Sequence, residues 1–135
     1  MILLVEDDPL MRSVMADALK DSEFDVIEAS NISEAVTALC EHSYILVLLT
    51  DVNIAGERSG LNLARAVQQR WPSISIILMS GWERLEPDEM PPGSVFIPKP
   101  CVMARLIAEV RSAADRARSQ SSVERRDAPH NGNAE

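Results

Sequence analysis

The stretch YILVLLTDVN, residues 44–53, decides the fold of this chain. Residues 45–49 form an apolar run without alternating polar positions, and Thr50 and Asp51 follow it. A short unbroken run of branched apolar side chains is typical of a parallel strand that helices bury on both faces. Open parallel sheets carry their chemistry just outside the carboxyl ends of the strands, so Asp51 is a candidate functional residue. Taken alone, it is better explained as a turn residue.

Strands and helices alternate along the rest of the chain. Apolar runs predict strands over 2–5, 24–28, 45–50, 74–79 and 95–97, and helical spacing predicts helices over 9–20, 31–40 and 59–71 and from 102 onward. Three prolines between Trp82 and Gly93 leave room only for a short helix over 83–89. The alternation predicts one α/β domain, residues 1–115, with a doubly wound five-stranded parallel sheet and a shortened fourth helix. Residues 116–135 are polar and small and predict a flexible tail, whose first part is compatible with a helix.

The composition argues against several classes of function. The chain has 135 residues and a net charge of −8 at pH 7, which disfavours binding of nucleic acid or an anionic membrane through a broad basic surface. No stretch approaches the about 18 apolar residues of a membrane helix, and Glu6 interrupts the opening apolar run too early for a signal peptide. Cys40 and Cys101 lack metal-ligand spacing and are expected to be reduced and packed. These features predict a cytoplasmic protein.

Polar side chains stand where four of the predicted strands end. These residues are Glu6 and Asp7 after the first strand, Asp51 after the third, Ser80 after the fourth and Lys99 after the fifth. The carboxyl ends of parallel strands meet at one edge of the sheet, so we expect these side chains to converge. Each has a plain structural explanation as a cap, a turn residue or a surface ammonium group, but chance rarely assembles the whole set.

The chemistry of this set points to phosphoryl transfer. Three neighbouring carboxylates repel one another at neutral pH, and Mg²⁺ is a hard cation with which oxygen ligands offset that repulsion. A carboxylate such as Asp51 can attack phosphorus, and phosphoryl transfer needs mainly alignment and charge neutralisation. Lys99 supplies a second positive charge, and the Ser80 hydroxyl can donate a hydrogen bond to a phosphoryl oxygen.

The motifs resemble those of the response-regulator receiver domain of two-component signalling. The similar segments are LLVEDD at 3–8, LLTDVN at 48–53, LMSG at 78–81 and FIPKP at 96–100. Each motif is weak alone, but their order and spacing are specific, and the resemblance covers residues 1–115. It implies a flavodoxin-like sheet with strand order 2-1-3-4-5, in a stand-alone receiver of the chemotaxis type. A receiver cut from a larger protein is the alternative.

The resemblance implies a metal site. Asp51 would be the phosphoacceptor, and Asp7 would ligate Mg²⁺ directly together with the Asp51 carboxylate and the main-chain carbonyl of Asn53. Glu6 would act through a metal-bound water. The next acid, Asp8, is expected to cap the first helix instead.

The resemblance also implies a switch. Lys99 would bind the phosphoryl group, which a sensor histidine kinase or a phosphotransfer protein would supply. Ser80 and Phe96 would be coupled, so that the hydroxyl moves toward the phosphate while the ring turns inward. The phosphorylated form would signal to an unknown protein partner or pass the phosphate on, with only self-directed phosphotransfer and autodephosphorylation rather than enzymatic turnover.

Three positions depart from the family pattern. Ala55 stands where the family usually has Pro, and the loop before Gly60 is one residue longer than usual. Trp82 is bulky at a position that in this family influences how long the phosphate persists. It either packs on the rim of the sheet or, by our hypothesis, limits water access and lengthens the phosphorylated lifetime. The shortened fourth helix belongs to a surface by which many receivers dimerise or signal, so the usual output interface is not expected here.

Three other functions fit the sequence less well. A phosphohydrolase with an Asp nucleophile uses similar groups, but its nucleophile usually follows the first strand and a second Asp acts as general acid, where this chain has Asn53. A degenerate receiver that serves only as a binding scaffold is disfavoured by the complete acidic set and Lys99. Flavin or nucleotide binding is weaker still, because no Gly-rich turn follows the first strand.

Overall fold

The structure is a computed structural model that describes residues 1–81 and 84–127, with side chains as far as residue 120. In chain order its elements are β1 (Ile2–Val5), α1 (Pro9–Asp21), β2 (Val26–Ala29), α2 (Ile32–Glu41), β3 (Val47–Asp51), α3 (Ser59–Arg70), β4 (Ser75–Ser80), a 3₁₀ turn (Pro87–Glu89), β5 (Val95–Pro98) and α4 (Met103–Asp127). All strand pairs are parallel, and the strand order is β2-β1-β3-β4-β5. The predicted sheet order is confirmed.

The central strands β1 and β3 are buried along their whole length because helices cover both faces of the sheet. Successive side chains of a strand point to opposite faces. Leu3 and Leu48 therefore enter one apolar layer, and Leu4 and Leu49 enter the other. The first layer also contains the buried residues of α2 and α3, and the second contains those of α1 and α4. This two-sided burial explains the unalternating apolar runs of the sequence.

The connection from β4 to β5 contains the 3₁₀ turn in the place of a full fourth helix, as the prolines predict. The turn is bonded to α3. Arg58 Nη1 donates to Glu89 Oε2 at 2.7 Å, and Arg65 donates through Nε and Nη2 to the main-chain oxygen of Glu89 at 3.1 and 2.8 Å. These contacts hold the turn against the helix that follows the Asp51 strand. Residue 83, the predicted start of the short helix, lies outside the described residues.

The last helix extends into the segment for which the sequence predicts a tail with a helix-compatible first part. Residues 116–127 continue α4, where a polar tail was expected from residue 116, and Ala117 is still buried. Residues 128–135 of that predicted tail lie outside the described residues. No helix in the described ranges is both long and apolar enough to cross a membrane.

Both cysteines are free. Cys101 is partly exposed, and Cys40 is exposed in the last turn of α2, away from the buried face of that helix. The expectation that both cysteines are packed was therefore wrong for Cys40. Helical position, rather than the apolar character of the thiol, decides its exposure.

Candidate functional site

Three carboxylates meet at the carboxyl edge of the sheet. Glu6 and Asp7 directly follow β1, and Asp51 ends the neighbouring β3, whose register pairs Val5 with Thr50. One carboxylate oxygen of each acid lies within 4.8 Å of those of the other two. Glu6 and Asp51 are buried, whereas Asp7 is exposed. The parallel pairing of β1 and β3 is what brings these distant parts of the chain together.

Lys99, which directly follows β5, supplies a positive charge to this cluster. Its Nζ donates a hydrogen bond to Glu6 Oε1 at 3.0 Å and lies 2.6 Å from Asp51 Oδ1. Burial of the ammonium group disfavours its charge, but contacts with Asp51 and Glu6 more than offset burial, so the pKa of Lys99 is raised above its ordinary value. Lys99 is thus a permanent cation that bridges the ends of β1 and β3.

Asp51 is a buried carboxylate that lies beside a second carboxyl group. Burial, and after it the neighbouring Glu6 carboxyl, raise the pKa of Asp51 to about 7 against the opposing effect of Lys99. The buried Oδ1 atom receives no aligned hydrogen bond, although Lys99 Nζ is close enough for an ion pair. A desolvated carboxylate beside a like charge gains most from a further positive ligand.

The first turn of α1 fixes the position of Glu6. Asp8 is the N-cap, since its Oδ1 accepts hydrogen bonds from two main-chain N–H groups of that turn at 2.9 and 3.2 Å. The N–H of Asp8 donates to Glu6 Oε2 at 3.1 Å, and Arg12 Nη1 donates to the main-chain oxygen of Glu6 at 2.9 Å. Asp8 is therefore the helix cap, as predicted, and the acids that enter the cluster are Glu6 and Asp7.

The loop between β3 and α3 holds Asp7. Ala55 donates its main-chain N–H to Asp7 Oδ2 at 2.8 Å. The loop reverses tightly at this point, because Ala55 has a φ of 57° and Gly56 a φ of 82°, and Ile54 pairs with Glu57 across the turn. The sequence predicts an altered loop at Ala55 but misses the contact, since no local pattern identifies the acceptor that a main-chain N–H will meet.

Gly60 allows the start of α3 to approach the backbone of Asp51. A Cβ atom at this position would collide with the carbonyl oxygen of Asp51 and would lie 3.0 Å from that of Val52. The main-chain N–H of Leu61 donates to the Val52 oxygen at 3.2 Å. The absence of a side chain at Gly60 therefore sets how closely α3 packs against the acidic cluster.

A cleft of about 100 Å³ opens beside the cluster. Its lining consists of Asp51, Asn53, Met79, Ser80, Gly81 and Lys99. Ser80 is buried at the end of β4, and its main-chain oxygen accepts a hydrogen bond from the N–H of Lys99 at 2.9 Å. The cleft thus joins the predicted phosphoacceptor, hydroxyl and ammonium group in one small space.

Phe96 is not among the residues that line the cleft. Phe96 on β5 is partly buried and packs against the apolar layer under α2 and α3, together with Leu85 and Met90. It belongs to the same apolar layer as these two residues, which flank the 3₁₀ turn. Trp82 lies outside the described residues, so its influence on phosphate lifetime stays a prediction.

The donor set fits a hard divalent cation. Glu6, Asp7 and Asp51 offer carboxylate oxygens, the ligand type that Mg²⁺ prefers. The buried Asp51 Oδ1 without an aligned hydrogen bond is a place where a cation would offset an unfavourable burial. The acidic cluster is therefore a candidate metal centre.

Comparison with known proteins gives the family. Residues 2–111 match the response regulator receiver domain family. An NtrX-like response regulator of Rickettsia bellii (strain RML369-C) is 31% identical over 86 residues, which cover 63% of this chain and 18% of that protein. The sensor protein TorS of Escherichia coli (strain K12) is 29% identical over 113 residues, which cover 79% of this chain and 12% of that protein. The matched region is thus less than a fifth of each of these relatives.

A solved structure supports the fold independently. The crystal structure of a response regulator receiver domain protein from Clostridium thermocellum superposes with a TM-score of 0.80 at 22% identity, and the match covers 88% of this chain and 97% of that one. The family match over residues 2–111 includes every strand and the acidic cluster. This chain therefore belongs to the response regulator receiver domain family and has the role of a phosphoacceptor switch in two-component signalling.

Proposed function

We propose that Asp51 is the phosphoacceptor and that Lys99 and Ser80 are its partners in phosphoryl transfer. The observation that carries the proposal is the environment of Asp51 at the wall of the small cleft. Its carboxylate is buried, lies 2.6 Å from Lys99 Nζ and keeps one oxygen without an aligned hydrogen bond. A carboxylate held in this way is desolvated and lies against a cation that can neutralise the charge of a reacting group.

The cation-binding residues of the proposed site are Asp7 and Asp51 through their carboxylates and Asn53 through its main-chain carbonyl, with Glu6 acting through a metal-bound water. Bound there, Mg²⁺ would neutralise the charge of the phosphoryl oxygens during transfer. Ala55, whose N–H holds Asp7 Oδ2 at 2.8 Å, would orient one of these ligands.

In the reaction, a carboxylate oxygen of Asp51 forms a bond to phosphorus while the bond from phosphorus to the donor breaks. The donor is the imidazole nitrogen of a phosphohistidine, or the acyl oxygen of a small phosphodonor such as acetyl phosphate. Lys99 stabilises the charge that collects on the phosphoryl oxygens, and the Ser80 hydroxyl donates a hydrogen bond to one of them. The role of the protein is mainly alignment and neutralisation.

The switch follows from a competition for Lys99. Its Nζ contacts Glu6 and Asp51, and phosphorylation replaces the single charge of the Asp51 carboxylate with about 1.5 to 2 negative charges on the phosphoryl oxygens. The arrangement in which Lys99 and Ser80 both contact the phosphoryl group is then favoured, and the population shifts by that difference in binding. Phe96 would report the shift by turning inward on β5.

The cognate sensor histidine kinase or phosphotransfer protein donates the phosphoryl group in this proposal, and an unknown protein receives the signal or the phosphate. Residues 1–115 act as the receiver domain in the cytoplasm, and residues 116–135 are its polar C-terminal tail. Autodephosphorylation is the only hydrolysis expected, since Asn53 occupies the position at which a phosphohydrolase has its general acid.

Mass spectrometry after incubation with Mg²⁺ and acetyl phosphate tests the proposal. We expect one added phosphoryl group per chain, lost when Mg²⁺ is chelated and absent in Asp51→Ala. Asp88→Ala, which removes an exposed acid on the 3₁₀ turn, is the control and should take up phosphate normally. Uptake in Asp51→Ala equal to that of the unaltered chain, or steady turnover of the phosphodonor far beyond one equivalent, would contradict the proposal.

A further inference from the structure

A second and larger cavity lies behind Lys99. Its volume is about 330 Å³, and it lies between α1, the end of β4 and the start of α4. Four of its lining residues are methionines, and they are Met11, Met15, Met79 and Met103. Volumes of about 300 to 1,000 Å³ with mainly apolar walls are typical of small-molecule sites. The cavity is therefore large enough to be a binding site in its own right.

Buried residues form the floor of the cavity, and a partly exposed residue stands at its edge. Met15, Met79 and Leu106 line it and are 1%, 2% and 1% exposed, so its inner wall belongs to the apolar core under α1 and α4. Met11 is 39% exposed and stands at its outer edge.

The lining also limits the chemistry of an occupant. Lys99 and the thiol of Cys101 are its polar side chains among the described residues, and the Lys99 ammonium group is already bonded to Glu6 and Asp51. Burying a charged ligand here without a partner would be unfavourable. Methionine side chains are flexible and polarisable, and they adapt to aromatic and irregular apolar shapes.

We propose that this cavity is a binding site for a neutral, mainly apolar small molecule, aromatic or aliphatic. Packed near the density of a protein interior, the space holds roughly 10 to 15 non-hydrogen atoms. The site is separate from the phosphorylation cleft, but Met79, Gly81 and Lys99 line both spaces.

Because Lys99 lines both spaces, a molecule bound in the cavity should affect phosphorylation. A molecule in the cavity packs against Lys99 and restricts the movement by which its ammonium group would follow a phosphoryl group on Asp51. This consequence rests on the proposed function, whereas the binding itself does not. We expect occupancy to slow phosphorylation by a small phosphodonor severalfold, with no partner protein present.

Binding is tested with 1-aminonaphthalene, a neutral bicyclic probe whose fluorescence rises in apolar surroundings. We expect saturable binding of one probe per native chain. Met11→Trp fills the outer part of the cavity and should weaken binding about tenfold. Val36→Trp is the matched control, since Val36 is similarly exposed at 44% but lies on α2, and it should leave the affinity unchanged. Calorimetry reads both variants without interference from the added tryptophan.

The two cysteines provide an internal check in the same molecule. Cys101 lines the cavity and Cys40 is exposed on α2. A bound probe should slow alkylation of Cys101 by iodoacetamide and leave that of Cys40 unchanged, as resolved by mass spectrometry of the peptides. No saturable binding, or equal slowing of both thiols, would overturn the site and leave the cavity as space for a side chain of a protein partner.

A separate experiment tests whether a bound molecule slows phosphorylation. Phosphorylation by acetyl phosphate with Mg²⁺ is followed at saturating probe in the native chain and in Met11→Trp. Slowing in the native chain and little slowing in Met11→Trp supports the link. If phosphate uptake occurs at the same rate with and without bound probe, the link to Lys99 is wrong. No uptake at all without the probe would count instead against the proposed function.

Discussion

Two regions hold the acidic cluster, and they do so by different means. On the β5 side, Lys99 reaches Glu6 and Asp51 with a long side chain that carries a charge. On the β3 side, the loop before α3 contacts Asp7 through the main-chain N–H of Ala55, and α3 packs directly against the Asp51 carbonyl at Gly60. One contact depends on charge and the other on the shape of the backbone.

The β5 side is suited to switching, and the β3 side is suited to supporting the fold. An ammonium group on a flexible stem can exchange one carboxylate for a phosphoryl group without moving the main chain. A tight loop and a helix packed on a backbone carbonyl have no such freedom, because close-packed interiors do not deform continuously. Substitutions on the β3 side should therefore affect folding first, and substitutions on the β5 side should affect the balance of charge.

The largest effect is expected from Gly60→Ala. The added Cβ would meet the Asp51 carbonyl oxygen, which is main chain and cannot rotate away, so α3 must shift. We expect a loss of about 3 kcal/mol or more in the free energy of unfolding, measured by urea denaturation. Gly81→Ala is the control, since a Cβ there would lie 3.8 Å from the Lys99 Cβ, an ordinary contact. Equal stability of the two variants would remove the distinction between the regions.

Lys99→Met is expected to have an intermediate effect on stability, and this effect should depend on Mg²⁺. It keeps most of the apolar stem but leaves buried Glu6 and Asp51 without their cation, which should cost about 2 kcal/mol in unfolding free energy. Since Mg²⁺ would replace part of the lost charge, its addition should raise the midpoint of thermal unfolding more in this variant than in the native chain.

Lys20→Met is the matched control for that experiment. Lys20 is half-exposed and contacts Glu28 at 3.4 Å on the surface, so its loss should change stability by about 0.5 kcal/mol or less and should not alter the response to Mg²⁺. A response to Mg²⁺ that is the same in Lys99→Met and in the native chain would show that the ion and the ammonium group do not act on the same carboxylates.

The two regions also differ in how far the sequence predicts them. Strand ends are local features, and parallel strands place their ends at one edge, so the approach of Glu6, Asp51 and Lys99 follows from apolar runs alone. The contact between Ala55 and Asp7 does not follow, because it depends on a positive φ that Ala rarely adopts and on a partner 48 positions away. The sequence therefore predicts which side chains meet when the order of the strands brings them together. It does not predict which main-chain groups will hold them.

Longer-range contacts show the same limit. The prolines of the β4–β5 connection predict a shortened helix, but not that Arg58 and Arg65 would bind Glu89 and hold the turn on α3. Those bonds join elements whose spacing is set by the packing of the whole domain. The sequence allows a helix in the first part of the tail but does not give its end at Asp127, because polar composition does not reveal that the buried Ala117 extends the packed face of α4.

The smallest effect on stability is expected from substitutions at Ala55. They distinguish the role of its main-chain N–H from the role of the loop conformation. Ala55→Pro restores the residue that the family usually has, yet it removes the N–H that Asp7 accepts and requires a φ near −65° in place of 57°. We expect it to lower the free energy of unfolding by about 1.5 kcal/mol and to weaken Mg²⁺ binding measured by calorimetry. Ala55→Gly keeps the N–H and tolerates the positive φ, so its stability should change by about 0.5 kcal/mol or less and its Mg²⁺ affinity should be retained. If the proline variant binds Mg²⁺ as tightly as the glycine variant, then Asp7 is oriented by the strand end alone, and the β3 side supports the fold without shaping the metal centre.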